Sequence, residues 1–417
     1  MIVEDLAPAP VRRRAPLVAL FAANGVSVCG TMMTFLAIPW FVLETTGSST
    51  QTGLVAAVEL IAVVASSALG GPMVARFGAR GASVLSDLLA ALAVLAIPVL
   101  HLTVGLALWQ LVLLVAVLGI SRAPGETARS TVVPELAKLG GTPLERAASA
   151  ADGASRAAKM VGPMLAGVLI AVTGAAEVLF VDAATFLVSA LLVGLFVPGV
   201  HPDDVPAKRG ARAYLADLRA GVGYLRKDRL IGAITLMLMV TNLMDAAIYS
   251  VLLPRYAKDV LGSSVALGVV TGVFGGAALV GTVLYGWLGP RLPRWPVYTL
   301  AFLAVGAPKQ LLLIAEPGMF TLVAGFVAIG LLCGAINPIL TVVEYERIPE
   351  AQRPVVFGVT AAGCAAGMPV GTVLAGLSVD HLGLSTTMWL TGGLYLVATL
   401  CPLVFRVWRQ MDRQGPA

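Results

Sequence analysis

Two acids stand inside long apolar runs: Glu59, within residues 52–74, and Asp245, within residues 230–253. A charged side chain at the centre of a hydrocarbon layer costs at least ~2.5–3.5 kcal/mol, so each acid calls for a compensating role. Carboxyls held away from water exchange protons nearer neutral pH, which suits a group that must load and unload one. Helical spacing puts Asn242 on the face of Asp245, and Ser66 and Ser67 about two turns beyond Glu59. Proton carriage is one reading of Glu59 and Asp245. The other is a neutral or ion-paired carboxyl that locks two helices together.

Other polar groups in apolar surroundings offer ligand contacts. Asp152, Arg156 and Lys159 share a helical face, with Asp152 and Arg156 spaced as an i,i+4 pair. Lys159 either reaches a cavity or snorkels to the membrane surface. Asn24 and Asn337 have hydrogen-bonding groups for a small molecule, or for a neighbouring helix. Tyr249, Phe35 and Trp40 supply aromatic surface for an apolar ligand, although interface anchoring is the more ordinary role of Trp40. The four cysteines and three histidines are scattered, so neither a metal site nor a disulfide framework is indicated. With no CxxC, HExxH, phosphate-binding loop or GxSxG motif, an enzyme and a bound cofactor are not expected.

The elements that must position these groups are membrane helices. The chain has 417 residues, 58% of them hydrophobic and only 12% charged, where a soluble domain carries about 25% charge. Apolar segments run over roughly 17–43, 52–74, 82–100, 104–121, 155–173, 176–197, 230–253, 265–288, 296–314, 318–340, 356–379 and 384–405. Each approaches the ~20 residues that a helix needs to cross a bilayer. The first is too long for the apolar core of a signal peptide. Of the 28 Lys and Arg, only Arg255 and Lys258 fall in the connections after odd-numbered segments, and Lys159 and Lys309 fall within segments. The other 24 lie at the termini and in the connections after even-numbered segments, which predicts both termini on the cytoplasmic side. That distribution accounts for the net charge of +5 without a nucleic-acid partner.

A longer connection, 198–229, carries seven basic residues, and Leu215, Leu218, Val222 and Leu225 recur on one face from 213 to 228. It reads as a surface-lying amphipathic helix joining two sets of six. The halves resemble one another in sequence. Gly71-Pro72-Met73-Val74-Ala75-Arg76-Phe77-Gly78-Ala79-Arg80-Gly81 is echoed by Gly286-Trp287-Leu288-Gly289-Pro290-Arg291, and Ser130-Thr131-Val132-Val133-Pro134-Glu135 by Leu340-Thr341-Val342-Val343-Glu344-Tyr345.

This pattern resembles the major facilitator superfamily. The family signature G-x-x-x-D-R-x-G-R-R, a basic conformational hinge between the second and third segments, is met at Gly71, Arg76, Gly78 and Arg80; Ala75 stands at its acidic position and Ala79 at the first of its final basic pair, with Asp87 as a partial substitute for the acid. Three stretches resemble the branch of macrolide efflux pumps and siderophore exporters: Ala128–Leu136, Phe180–Leu187 and Ile348–Gly358. Gly153, Gly162, Pro163 and Gly167 resemble the drug:proton antiporter signature, with Ala158 and Ala166 at two of its glycines. The resemblance implies an all-α fold of twelve transmembrane helices in two pseudo-symmetric six-helix bundles, 17–197 and 230–405. These are flanked by a cytoplasmic lead (1–16), linker (198–229) and tail (406–417). It places Glu59 and Asp245 on cavity-bordering helices, and Asp182 and Lys309 on peripheral ones. The expected protein is a monomeric, multi-pass exporter of the inner (plasma) membrane. It would pass bulky apolar drugs or secondary metabolites outward and protons inward by alternating access. One rival is proton-coupled uptake of a small nutrient, for which 6% aromatic residues is few. The other is a non-transporting receptor or scaffold, which would need a sizeable soluble domain.

Overall fold

A bilayer offers backbone N–H and C=O groups no partners, so a chain this apolar must satisfy them within helices. The structure, a computed structural model, describes residues 14–199 and 211–412. The first six long helices are α1 (Ala15–Thr46), α2 (Ser49–Ser66), α3 (Gly70–Thr103), α4 (Leu108–Gly140), α5 (Leu144–Thr173) and α6 (Ala175–Phe196). A shorter α7 (Ala211–Lys227) follows. The second six are α8 (Arg229–Asp259), α9 (Ser264–Arg291), α10 (Arg294–Ile314), α11 (Met319–Arg347), α12 (Glu350–Leu382) and α13 (Leu384–Val404). All twelve long helices are apolar enough to cross a membrane. Large apolar side chains such as Phe320, Val172 and Leu195 point outward, as expected where hydrocarbon is the solvent.

We call the end of the bundle bearing Ala15 proximal and the end bearing Thr46 distal. Within each half, helices pack tightly, α1 on α5 and α6, and α3 on α4 and α6. Two seams join the halves, α2 against α12 and α5 against α9. Both seams are made by glycine. A Cβ on Gly53 would lie 2.2 Å from the Thr372 carbonyl, and one on Gly268 would lie 2.4 Å from the Pro163 carbonyl. Only a missing side chain lets the backbones approach so closely.

Among the described residues, side-chain hydrogen bonds between the halves lie toward the distal face. The Asp380 carboxylate accepts from the Ser48 hydroxyl at 2.9 Å and from the backbone N–H groups of Ser49 and Thr50 at 3.0 and 2.8 Å, at the start of α2. Arg255 donates to the Gly47 carbonyl at 2.8 Å and Lys258 to that of Leu43, at the end of α1. Ser264 donates to the Gly167 carbonyl at 3.0 Å. An anion therefore meets the positive end of one helix dipole and two cations the negative end of another.

Some expectations are corrected. The fourth segment does not end at residue 121. α4 continues to Gly140, and Arg122 and Arg129, counted above as connection, lie inside it. Helix tolerates them because each is ion-paired on the bundle interior. In the basic hinge, the chain stays helical through Gly71 and breaks at Gly78, where φ is +68°, a conformation that favours glycine. Pro72 does not break the helix there, because it stands in the first turn from Gly70, where no N–H partner is required. The amphipathic stretch in 213–228 coincides with α7. Its Tyr224 hydroxyl donates to the Arg347 carbonyl at 2.8 Å, which ties it to the second half. Residues 1–13, 200–210 and 413–417, including parts of the expected lead, linker and tail, lie outside the described residues.

Candidate transport site

Each half holds a buried ion pair at membrane depth. In the first, α4 is brought against α2 by Gly119, where a Cβ would sit 2.8 Å from the Glu59 carbonyl. One turn on, Arg122 reaches the Glu59 carboxylate at 3.0 Å, with side chains 19% and 9% exposed. Neither Ser66 nor Ser67 is its partner; Ser66 donates instead to the Val63 and Gly119 carbonyls.

In the second half, both members of the pair sit at helix irregularities. Asp245 precedes a wider π-type turn at Ile248–Leu252. Lys309 follows a break in α10 at Gly306, whose φ and ψ of −76° and −109° are not helical. Lys309 is wholly enclosed and lies 2.8 Å from Asp245, which is 31% exposed and also accepts from the Tyr395 hydroxyl at 3.2 Å. The ammonium faces the Tyr249 ring at 4.9 Å and those of Phe274 and Tyr395 at 5.8 Å, a set of cation–π contacts. Lys309, expected at the periphery, is thus the direct partner of Asp245. A buried cation is rarely placed without an anion, because an unpaired one costs several kcal/mol.

A cavity of about 570 Å³ occupies the proximal half of the molecule between α1, α4 and α5. Leu20, Phe21, Val28, Val133 and Pro134 form much of its wall, with Asn24, Glu126, Ser155 and Lys159 among its polar groups. Asn24 donates to the Ser155 hydroxyl at 2.7 Å, fixing the wall between α1 and α5. Lys159 is exposed within this lining. The Asp152–Arg156 pair is present at 2.6 Å. Asn242 donates to the Cys364 carbonyl at 3.1 Å and so bridges α8 and α12. Tyr249 lies beneath Lys309 and is only partly exposed, while Asn337 is exposed on α11.

At the hinge, Arg76 is exposed and lies over the Phe77 ring at 5.4 Å, whereas Arg80 donates to the Gly194 carbonyl of α6. Asp87 is buried and accepts from Arg129 at 3.1 Å and from the Ser189 hydroxyl at 2.7 Å, which ties α3 to α4 and α6. In α5, a Cβ on Gly162 would lie 2.6 Å from Met32 of α1, and one on Gly167 would lie 3.0 Å from Gly268 of α9. Pro163 supplies the carbonyl facing Gly268, and Gly153 has open space beside it. This motif lies partly in one half and partly at the seam between halves.

Sequence reasoning missed Arg122 and Lys309 as partners of the acids. Their separations of 63 and 64 residues leave no local spacing to read. A signal existed for Lys309, an isolated cation in an apolar run.

Twelve membrane-length helices in two glycine-seamed halves, latched at one end and hollow at the other, make up the architecture of a membrane transporter. The chain belongs to the Major Facilitator Superfamily, whose family model matches residues 20–292 and 235–416. Among its relatives, the multidrug efflux pump Tap of Mycolicibacterium fortuitum is 28% identical over 379 residues, covering 90% of this chain and 92% of the relative. Macrolide efflux protein A of Streptococcus pyogenes is 21% identical over 397 residues, covering 94% of this chain and 96% of the relative. The fold superposes on the nucleoside transporter NupG with a TM-score of 0.75 at 14% identity, covering 93% and 98% of the two chains. On a D-xylose–proton symporter it gives 0.70 at 15% identity, covering 95% and 99%.

Proposed function

We propose that this transporter exports bulky, mostly apolar drugs or secondary metabolites across the inner membrane in exchange for protons. The observation that carries the reading is the cavity of about 570 Å³, apolar-walled and in the proximal half, in a molecule latched at its distal face. A compound entering from the cytoplasm or the inner leaflet would meet this cavity first, if the proximal face is cytoplasmic as the basic connections argue. The full-length likeness to two efflux proteins supports the outward direction. In this reading a monomer works by rocking 17–197 against 230–405 about the glycine seams, with 198–229 as tether. Each proton entering down 100 mV contributes ~2.3 kcal/mol. Glu59 and Asp245 are the two carboxyls we put forward for coupling, and Asn24, Lys159 and Tyr249 for substrate contact.

The test is the accumulation of a panel of dyes and antibiotics in cells with and without the protein, before and after a protonophore. Export predicts lower accumulation that rises to the control level when the proton gradient collapses. Higher accumulation with the protein present would establish uptake instead. Glu59→Gln and Asp245→Asn identify which carboxyl couples, since an amide keeps the shape and cannot carry a proton.

A further inference from the structure

A second cavity, of about 840 Å³, lies at the proximal end of the second half. Its wall is assembled from α7, the start of α8, the end of α11 and the first turns of α12. Gly221 brings α7 against α12, where a Cβ would lie 2.4 Å from the Val359 side chain. The Tyr224 hydroxyl fixes α7 again, on the Arg347 carbonyl.

The charges in this wall do not cancel. Asp228 is the one carboxylate among its lining residues, and it already accepts four hydrogen bonds. Arg347 donates to it through Nε at 2.9 Å and Nη2 at 3.2 Å, and the N–H groups of Leu230 and Ile231 donate at 3.0 and 3.2 Å. Lys227 and Arg229 line the cavity on either side of Asp228 in the chain. Among the described residues, neither side chain has a hydrogen bond or an ion pair. Glu350, just outside the lining, is held by Arg353 at 3.4 Å. The amides of Gln352 and Gln410 add donors, and much of the remaining wall is apolar, with Ala220, Ala351, Val355 and Val356.

The first half repeats the pattern on a smaller scale. A cavity of about 230 Å³ lies between the start of α1 and the turn from α4 to α5, with Arg14 and Arg146 in its lining and no acid. α1, α4 and α5 are the first, fourth and fifth long helices of their half, as α8, α11 and α12 are of theirs. Uncompensated cations thus recur at matching places. Two of them around one cavity repel each other unless an anion lies between them. A small anion alone would leave most of the 840 Å³ and its apolar wall unused. An amphiphile with an anionic head meets both parts of the lining, and basic pockets between helices at the cytoplasmic headgroup layer suit phosphate-bearing lipid heads.

We propose that the cavity between α7, α8, α11 and α12 binds an anionic phospholipid. Its phosphate lies between Lys227 and Arg229, and its glycerol and upper chains lie along Val355 and Val356. Bound there, the lipid ties the linker helix to the second half. The site is independent of the direction of transport and of proton coupling.

Cysteine protection in the purified protein tests the site. Ala351→Cys, in a background lacking the native cysteines, is labelled with a neutral maleimide in phosphatidylcholine mixed micelles. Added phosphatidylglycerol should slow that labelling, while Lys138→Cys, exposed and outside both cavities, should label at an unchanged rate. Lys227→Gln/Arg229→Gln should raise the phosphatidylglycerol concentration for half-protection about tenfold or more. Arg219→Gln/Arg226→Gln removes the same charge from exposed positions of α7 outside the cavity and should leave that concentration unchanged. All four side chains are exposed, so neither variant removes a packed group. Absence of protection by phosphatidylglycerol, or equal loss in the Arg219/Arg226 variant, overturns the proposal. Protection by soluble glycerol phosphate at the same concentrations also overturns it, in favour of a water-soluble phosphoryl ligand.

Discussion

Removing either member of the Asp245–Lys309 pair should destabilise the protein, but by unequal amounts. Lys309 has no exposed side-chain surface, whereas Asp245 is 31% exposed and keeps a second partner in Tyr395. Asp245→Asn strands a fully enclosed ammonium. Breaking a buried pair this way costs about 3–5 kcal/mol, and the rings of Tyr249, Phe274 and Tyr395 offset about a third of that, at ~0.5–2 kcal/mol in total. The net expectation is about 3 kcal/mol. Lys309→Met leaves a carboxylate that retains solvent and the Tyr395 hydroxyl, while the methionine fills most of the vacated space, so the expectation is about 1 kcal/mol. The double variant Asp245→Asn/Lys309→Met strands nothing, and its cost should fall about 2 kcal/mol short of the sum of the singles. Reversible unfolding of the purified protein in mixed micelles, run as a double-mutant cycle, measures all three. A Lys309→Met cost equal to or above that of Asp245→Asn, or strict additivity, would refute the burial argument.

Three further outcomes follow from the geometry. A cysteine at Lys138, exposed in the last turn of α4 at the proximal end, should label only from the cytoplasm, and one at Val104, on a distal connection, only from outside; labelling of both from one side would break the topology. Gly53→Val must push α2 from α12, because its Cβ would lie 2.2 Å from the Thr372 carbonyl. The cost is on the order of 1–3 kcal/mol, and a cysteine at the buried Ser49 should become reactive in that background while staying inert in the parent. Asp380→Asn removes the anion from the start of α2, worth ~1–2 kcal/mol, so thiol labelling at Ser49 should speed up by about 5–30-fold; an unchanged rate would show that the latch does not hold the distal face.

Much of the architecture was legible because the bilayer imposes a length and a polarity that few sequences meet by chance. Twelve segments and the basic bias of alternate connections come directly from that constraint. Where the reading went wrong, the interior had overruled composition. Arg122 and Arg129 look like loop residues, yet α4 carries them inward because Glu59 and Asp87 wait there. Gly71 and Gly78 both look able to turn the chain, yet a proline in a first helical turn costs nothing, so the helix runs through Gly71-Pro72 and the break falls at Gly78. The acids of the candidate site could be picked out as charges in apolar surroundings. Their partners could not, since which way a helix faces its neighbours is fixed by packing between segments tens of residues apart. Asn242 shows the same limit: its spacing to Asp245 is correct, but its amide is spent on the Cys364 carbonyl.

The distal latch has a consequence for the economy of an idle cell. Its contacts grip both sides of one tight turn, Gly47-Ser48, so the end of α1 and the start of α2 cannot be released one at a time. Opening the distal face means giving up the Asp380, Arg255 and Lys258 contacts together, which makes intermediate, half-open forms scarce. A carrier that exchanges drug for protons dissipates the membrane's stored energy whenever it turns over empty. On the proposed antiport reading, a gate that yields all at once, rather than fraying, would keep the unloaded carrier open at its proximal face, so that idling would drain little of the proton gradient.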